Sequence, residues 1–495
     1  MRNLKLLTVI MLLIFARPVY AQGYGGPLSF QGLDRGMLHS AAAWAMGGMT
    51  FGSRTDIGIM FHHPAGLYSI QKLQLGFAGL MQSQQLKQEQ QYAPVRYYPN
   101  LSLLLEGLTA RIPDPDTSLY GFSAKDTVQR PFDTIGPNWD RSKTRRTPLQ
   151  AMLAVPVSIG KWKVVAGIGA GIHADLNHFY QNNNVLSPSI LSQRPLPTLR
   201  PTDDNPLKVD WFQSLRSRSG WMKGYGVAIA SGIEKYHVWF GVSGMVLQGT
   251  SDDLEQQVAR GKLTFFSNAF RVDSVFDRTT KKGSSDFSGH ELSMSCQLSG
   301  RYVSLGFSIK LPTTITRTYR LEITTESGDG IRSYSMNGRE KLQLPWRGSI
   351  GLLLTPRVNL SLGIEYERRP YRSLRYIASD GTETTPWLPA SVVRVGAEYL
   401  MTPWLALRAG VRGESEVFEP EGNQLPGHPV TYQTYCAGFG LFFVDIRLNV
   451  SYQSSIMKYQ DIWSSAISKN SERRQILVAQ LIYELPWFKP KDEQF

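Results

Sequence analysis

Tyr302-Val303-Ser304-Leu305-Gly306-Phe307-Ser308-Ile309-Lys310-Leu311 alternates a large apolar residue with a small or polar one at each step. Residues i and i+2 of a strand share a face. Val303, Leu305, Phe307, Ile309 and Leu311 therefore form one apolar face, and Ser304, Gly306, Ser308 and Lys310 the other. The rule recurs in 358–367, where Val358, Leu360, Leu362, Ile364 and Tyr366 alternate with Asn359, Ser361, Gly363, Glu365 and Glu367. It recurs again in 404–412 and 445–452, which set Leu405, Leu407, Ala409, Val411, Ile446, Leu448, Val450 and Tyr452 on one face.

These strands come in pairs. The expected hairpins are 148–160 with 162–178, 221–233 with 236–250, 287–299 with 302–315, 343–354 with 358–368, 389–400 with 404–413 and 432–443 with 446–457. Short turns join each pair, for example Gly160-Lys161 and Gly300-Arg301. Single strands at 72–84 and 475–486 bring the tally to about 14, an even number that closes first on last. Long polar connections, 85–147, 179–220, 251–286, 316–342, 370–388, 414–430 and 458–474, alternate with the short turns. A soluble sandwich has no reason to segregate loops this way. An outer-membrane barrel does, with short periplasmic turns and long outer loops. The expected fold is an all-β, transmembrane antiparallel barrel in a bacterial outer membrane, with both termini periplasmic and lipid as a partner. Trp162, Trp239, Trp404 and Trp487 are expected in one aromatic girdle, and Trp221, Trp346 and Trp387 in the other. A charge at Leu362 or Leu448 should cost about 2–4 kcal/mol near the midplane, while Ser361 and Asn449 should tolerate one.

The ends fit export. Arg2 and Lys5 precede the apolar run Leu6–Phe15, and Val19-Tyr20-Ala21 supplies a small-x-small cleavage site, so 1–21 reads as a signal peptide. The barrel is expected over 72–488, with Trp487-Phe488 closing the last strand and 489–495 as a periplasmic tail. Formal net charge is +13, but the cations are spread along the chain. Without a compact basic stripe, an exported chain gives no reason to expect nucleic acid. The two cysteines, Cys296 and Cys436, fall on opposite strand faces, which predicts two free thiols.

Residues 22–71 do not follow the strand rule. They carry Ala41-Ala42-Ala43-Trp44-Ala45-Met46-Gly47-Gly48 and Phe61-His62-His63-Pro64-Ala65-Gly66-Leu67. A segment this rich in Ala and Gly can fold inside the barrel as a plug, or remain a periplasmic extension. Ala45-Met46-Gly47-Gly48, Asp56 and Phe61–Leu67 resemble the N-terminal signature of the FadL/TodX family of outer-membrane transport proteins, as do Val393–Tyr399, Leu407-Arg408-Ala409-Gly410 and Ala437–Gly440 toward the C-terminus. The resemblance implies a 14-stranded barrel closed by an N-terminal hatch, with Gly47, Gly48, His63, Pro64, Ala65 and Gly66 as gating residues. It also implies passive uptake of hydrophobic molecules such as long-chain fatty acids or aromatic hydrocarbons, which meet an apolar groove among outer loops and leave sideways into the membrane. His63 stands where that family has Asn, which leaves open how the hatch is locked.

No Gly-x-Ser-x-Gly, phosphate-binding Gly-rich loop, His-Glu-x-x-His or Cys-x-x-Cys occurs. His173 with Asp175 and His290 with Glu291 are the nearest approaches to acid–base pairs. The chain is read as having no catalytic residues, no cofactor and no metal site; adjacent His62 and His63 diverge and lack further ligands. Arg394, Arg408, Arg412 and Arg447 fall on the lumen face with Glu365, Glu367 and Glu398. They either fill the lumen as a charge ladder or offer one guanidinium to an anionic head group. The rival function is a barrel-type partner in protein secretion or surface anchoring, binding a protein through 85–147 with Tyr92, Tyr97, Tyr98 and Trp139.

Overall fold

The computed structural model describes residues 26–51, 56–92, 114–115, 138–159, 162–188, 202–266, 269–273, 275, 277–420, 428–462 and 466–485. The signal peptide and the C-terminal tail of the sequence reading lie outside these residues, as do Trp487, Phe488 and most of 85–147, including Tyr97 and Tyr98.

Fourteen antiparallel strands close into one barrel. They are β1 (Leu73–Tyr92), β2 (Trp139–Ile159), β3 (Trp162–Asp175, continued as His178–Pro188), β4 (Leu207–Ile233), β5 (Val238–Phe265), β6 (Arg278–Ser299) and β7 (Val303–Lys310, continued as Thr313–Ser327). They continue with β8 (Gly330–Leu344, then Arg347–Arg357), β9 (Leu360–Arg369), β10 (Ala390–Thr402), β11 (Leu405–Ser415), β12 (Thr431–Phe442), β13 (Ile446–Ile462) and β14 (Ala466–Leu485). Closure is direct: β1 pairs with β14 from Leu73↔Leu485 to Tyr92↔Ala466. Among the described residues no sheet edge is left at membrane depth, which a medium without hydrogen-bonding partners requires.

The alternation sets the two surfaces. Phe307, Ile309, Leu362, Ile364, Val395, Leu407 and Tyr452 are exposed on the outer face, while their neighbours Ser308, Ser361, Arg394, Ala406 and Ser451 are buried inside. Cys296 and Cys436 are free thiols, on the outer and inner faces respectively. The girdle is thinner than expected. Trp162, Trp346 and Trp404 are exposed outward. Trp239 instead packs on Tyr68 at 5.5 Å and Trp387 on Tyr371 at 5.2 Å. Trp221 lies under the Arg145 guanidinium, 4.6 Å from its ring centroid, against an interior cluster. Trp239 has the inward parity of its strand, because Phe240 and Val242 face out.

Much of what reads as loop is strand. β4 and β5 run for 27 and 28 residues, and the supposed connection 316–342 is one hairpin paired from Thr313↔Leu344 to Ser327↔Gly330. Above the apolar belt the outer face is polar, and the inner face mixes charged residues such as Asp253 and Arg317 with apolar ones such as Tyr319 and Ile323. The apolar alternation then disappears from the sequence while backbone pairing continues. The wall is lopsided, since β9 has 10 residues and β11 has 11.

The inner face also tightens one expectation. Asn449 is buried and its Oδ1 accepts from Arg408 Nη1 at 2.9 Å, so only a negative charge suits that site. Leu362→Lys should lose about 2–4 kcal/mol, whereas Asn449→Asp should fold like the parent. Denaturant titration in lipid vesicles, followed by the gel shift of folded barrel, separates the two.

Candidate functional site: the occupied lumen

The described part of the N-terminal segment lies within the ring of strands. Ser40 begins a short helix, α1 (Ala41–Ala45), its side chain accepting from the Ala43 amide at 3.0 Å as N-cap residues do. The wall completes the capping. Gln480 Oε1 accepts from the Ala41 amide at 3.0 Å, and Gln453 Nε2 donates to the Trp44 carbonyl at 2.9 Å. Gly47 and Gly48 end α1 at φ +76° and +86°, a backbone region glycine enters without a Cβ clash. Asp56 then caps a 3-10 turn, accepting from the Gly58 amide at 2.8 Å.

The segment touches bare backbone on nearly opposite sides of the wall. An added Cβ at Gly410 of β11 would lie 2.4 Å from Gly47 N, and one at Gly396 of β10 would lie 2.6 Å from the Met46 carbonyl oxygen. Six strands away in the ring of fourteen, a Cβ at Gly241 of β5 would lie 2.3 Å from Ala65 N. The Ala65 amide donates to Ser295 Oγ at 2.8 Å. Gly66 packs on Ile59, and Ser69 Oγ donates to its carbonyl at 2.7 Å. All six candidate gating residues thus lie at or beside these seats.

His63 precedes Pro64 at the start of the second 3-10 turn but makes no side-chain cap. Its Nε2 donates to Gln297 Oε1 at 2.9 Å, and its ring meets Phe51 edge-on at 4.3 Å. The neighbouring His62 turns away and stacks on His39 with centroids 4.2 Å apart. Burial depresses all three imidazoles. His63 falls to about 4, partly offset by its bond to Gln297. His39 and His62 fall well below the usual value, with nearby Arg394, Arg412 and Lys310 adding to burial for His39 and Lys310 for His62. Among the described residues no group of three His, Cys, Asp or Glu could hold a metal ion.

The four lumen arginines all meet partners. Arg394 donates to Glu365 at 2.8 Å and Glu367 at 2.5 Å. Arg408 donates to Glu398 at 2.6 Å, and Arg447 pairs with Glu484 at 2.5 Å. Arg412 is held most loosely, with Nε 3.5 Å from Glu414 and Cζ 5.5 Å from the Trp44 ring. The ladder also grips the segment, since Glu365 Oε2 accepts from the Thr50 amide at 2.8 Å. A polar cavity of about 50 Å³ remains between His39, His62, Lys310, Arg347, Arg369 and Arg412.

A second clamp was hidden in segments read as loops. Arg218 and Arg317 both hold Asp253, at 2.7 and 2.9 Å, and donate to the Ser29 and Leu28 carbonyls at 2.7 Å each. Glu255 Oε1 accepts from the Leu28 amide at 2.7 Å. Extending the inward parity of Leu247 along β5 to Asp253 was the signal available. Beside this clamp Phe30 stacks edge-on with Phe287 and Tyr376, at 6.2 and 5.9 Å. An apolar column continues upward on the inner side of the β7–β8 hairpin through Tyr319, Leu321, Ile323, Tyr334 and Met336, with Tyr334 and Met336 exposed.

The wall itself is thinned at β2–β5. Two bulges lie side by side: Leu149 is skipped in the β1–β2 register and His173 in the β3–β4 register, and both side chains are buried. Below them Gly169 and Gly226 are paired. A Cβ at Gly169 would lie 2.6 Å from Met60 Cε inside the barrel, and one at Gly226 would lie 2.3 Å from the Gly244 carbonyl oxygen of the wall and 2.9 Å from Phe61 Cε1. On the lipid side of the same glycines is an apolar hollow of about 820 Å³ lined by Leu153, Ile168, Tyr225, Val246 and Leu292. The suspected acid–base pairs do not form dyads. Asp175 is held by Arg145 at 3.0 Å, His173 Nε2 is 4.0 Å from Glu291, and His290 faces outward while Glu291 faces in.

Two outcomes follow from the seats. Gly410→Val puts side-chain atoms where the Met46–Gly47 peptide lies, and over-packing of this kind costs about 1–3 kcal/mol or more; limited proteolysis should then cut within 40–70 while the barrel stays intact. Acid should act in the same direction. A freed imidazole titrates near 6.5 and seated His63 near 4, so its neutrality stabilises the seated state fully above 6.5. That stabilisation, about 3 kcal/mol for one such shift, is lost as pH falls from 6.5 through 4. Conductance of reconstituted barrels should rise over that window, and His63→Asn should flatten part of the rise.

No protein-family model matches the chain, and no curated protein matches its sequence. Solved structures do match. A Pseudomonas aeruginosa FadL homologue superposes with a TM-score of 0.53 at 12% identity, covering 91% of this chain and 99% of that one. The P. putida toluene transporter TodX gives 0.52 at 13%, covering 91% and 100%. The CymD monoaromatic hydrocarbon channel gives 0.50 at 10%, covering 93% and 100%. The chain therefore has the fold of the FadL homologue and of the TodX and CymD channels.

Proposed function

We propose that the protein is an outer-membrane channel for passive uptake of hydrophobic small molecules, and that its N-terminal segment is the hatch. One observation carries this reading: at Gly169 and Gly226 the wall is bare backbone, with Met60 and Phe61 of the segment inside and an apolar hollow on the lipid face outside. A hydrophobic molecule is captured on the exposed apolar side of the β7–β8 hairpin, descends past Phe30, and leaves through the thinned wall toward lipid when the segment shifts. Such a path keeps the molecule among apolar side chains, where burial favours it by about 25 cal/mol per Å². The similar solved structures include a toluene transporter and a monoaromatic hydrocarbon channel, which supports this substrate class. No covalent step is required, and the paired lumen arginines serve to seat the hatch.

Uptake into lipid-filled proteoliposomes tests the path. A bulky side chain at Gly169→Leu over-packs it, so entry of labelled toluene and of labelled oleate should fall roughly tenfold with the barrel still folded. Unchanged entry of both would remove the lateral route; entry of neither into vesicles bearing the parent protein would remove the channel reading.

A further inference from the structure

Just above the apolar belt on the β8–β9 side, five exposed cations gather on or beside the outer face: Arg339, Lys341, Arg368, Arg372 and Arg375. The register brings them together. Gln343, on the same face as Lys341, pairs with Arg375 of the short strand Arg375–Ile377, and Lys341 pairs with Ile377 of that strand. Arg368 pairs with Gly348 of β8. Trp346 lies over that glycine, where an added Cβ would be 3.0 Å from its ring. Below Arg368 on the same face are Tyr366 and then Ile364, both exposed. The order along the wall is thus apolar belt, aromatic ring, cations.

Among the described residues none of the five enters a salt bridge. Elsewhere the barrel pairs its buried arginines closely: Arg369 and Arg394, the inward residues beside Arg368 on β9 and β10, each hold glutamates at 3.0 Å or less. Exposed carboxylates beside the five are Glu383, which pairs with Ile377 opposite Lys341, Asp380 in the turn that follows Ile377, and Asp286, two strands from Arg339 through Thr318. Cations therefore outnumber acids, and they face where lipid head groups lie at the rim of the belt.

We propose that this patch binds the phosphorylated head group of a membrane lipid in the leaflet on the long-strand side. Guanidinium groups match phosphate with two parallel N–H···O bonds, Trp346 and Tyr366 sit at the depth where aromatic residues meet the interface, and the acyl chains of the lipid lie along Ile350, Leu362 and Ile364. The lipid is a structural partner at the rim and is separate from whatever crosses the lumen, so this assignment stands or falls independently of the channel reading.

Full-length protein in phosphatidylcholine nanodiscs doped with lipid A, a bis-phosphorylated glycolipid, tests it by native mass spectrometry. The parent should retain lipid A; Arg368→Gln/Arg372→Gln/Arg375→Gln should retain roughly tenfold less, each bidentate contact being worth a few-fold or more. Arg146→Gln/Lys223→Gln/Arg473→Gln, which removes equal charge from other strands, should behave like the parent, and dephosphorylated lipid A should not be retained. Millimolar inorganic phosphate should fail to displace the lipid. Equal retention by the first variant, equal loss in the second, retention of the dephosphorylated lipid, or displacement by inorganic phosphate would each overturn the assignment.

Discussion

The close approach of the N-terminal segment to glycine backbone on the inner wall is the contact on which the rest of the structure depends. A barrel of fourteen strands encloses more space than its own side chains fill. Here the deficit is filled by residues 26–71 where they are described, and they fit because the wall has no side chain at the points of closest approach. Met46-Gly47 rests on Gly396 and Gly410, and Pro64-Ala65 rests on Gly241. Dispersion contacts of this kind are small singly and add over an interface. They also exclude water from both sides of each peptide, so the hydrogen bonds from Gln453, Gln480 and Ser295 act in a low-dielectric interior.

The charged residues are organised by the same requirement. A buried guanidinium is costly without a partner, and the lumen supplies one to each of Arg218, Arg317, Arg369, Arg394, Arg408 and Arg447. Several of those pairs then hold backbone of the segment: Glu365 takes Thr50, Arg369 takes the Asp34 carbonyl at 3.1 Å, and Arg218 with Arg317 take Ser29 and Leu28. The ladder is thus a lock on the segment. Burial lowers the pKa of His39, His62 and His63 in the seated segment, which is the basis of the acid sensitivity expected for the seating. Five cations that enter no salt bridge among the described residues, Arg339, Lys341, Arg368, Arg372 and Arg375, are exposed on the outside.

The barrel was legible because lipid imposes a strict period of two: Val303 to Leu311, Leu360 to Tyr366 and Leu405 to Val411 each write it plainly. The pattern falls silent where lipid ends. Asp253, Ser285, Arg317 and Glu340 stand in strands that read as loops, because the outer face there is polar and these residues interrupt the apolar inner one. Trp239 and Trp387 were misplaced because tryptophan near a turn suits an interface and a core equally, and only parity or tertiary packing distinguishes them. The candidate gating glycines and His63 were singled out through resemblance of a short motif, but that His63 pairs with Gln297, 234 residues away, is a fact of tertiary structure. The lateral thinning at Gly169 and Gly226 depends on register between strands, which no single strand records.

Cysteine trapping in intact cells tests the central claim most directly. With Cys296→Ser and Cys436→Ser as background, Ala65→Cys and Ser295→Cys place two thiols on residues joined by the Ala65 amide to Ser295 Oγ bond. Oxidation should join them efficiently before any detergent is added, and Ala65→Cys alone should resist a charged maleimide applied to the periplasmic side. Absence of the cross-link together with rapid labelling of that single cysteine would place the segment outside the barrel and contradict the account.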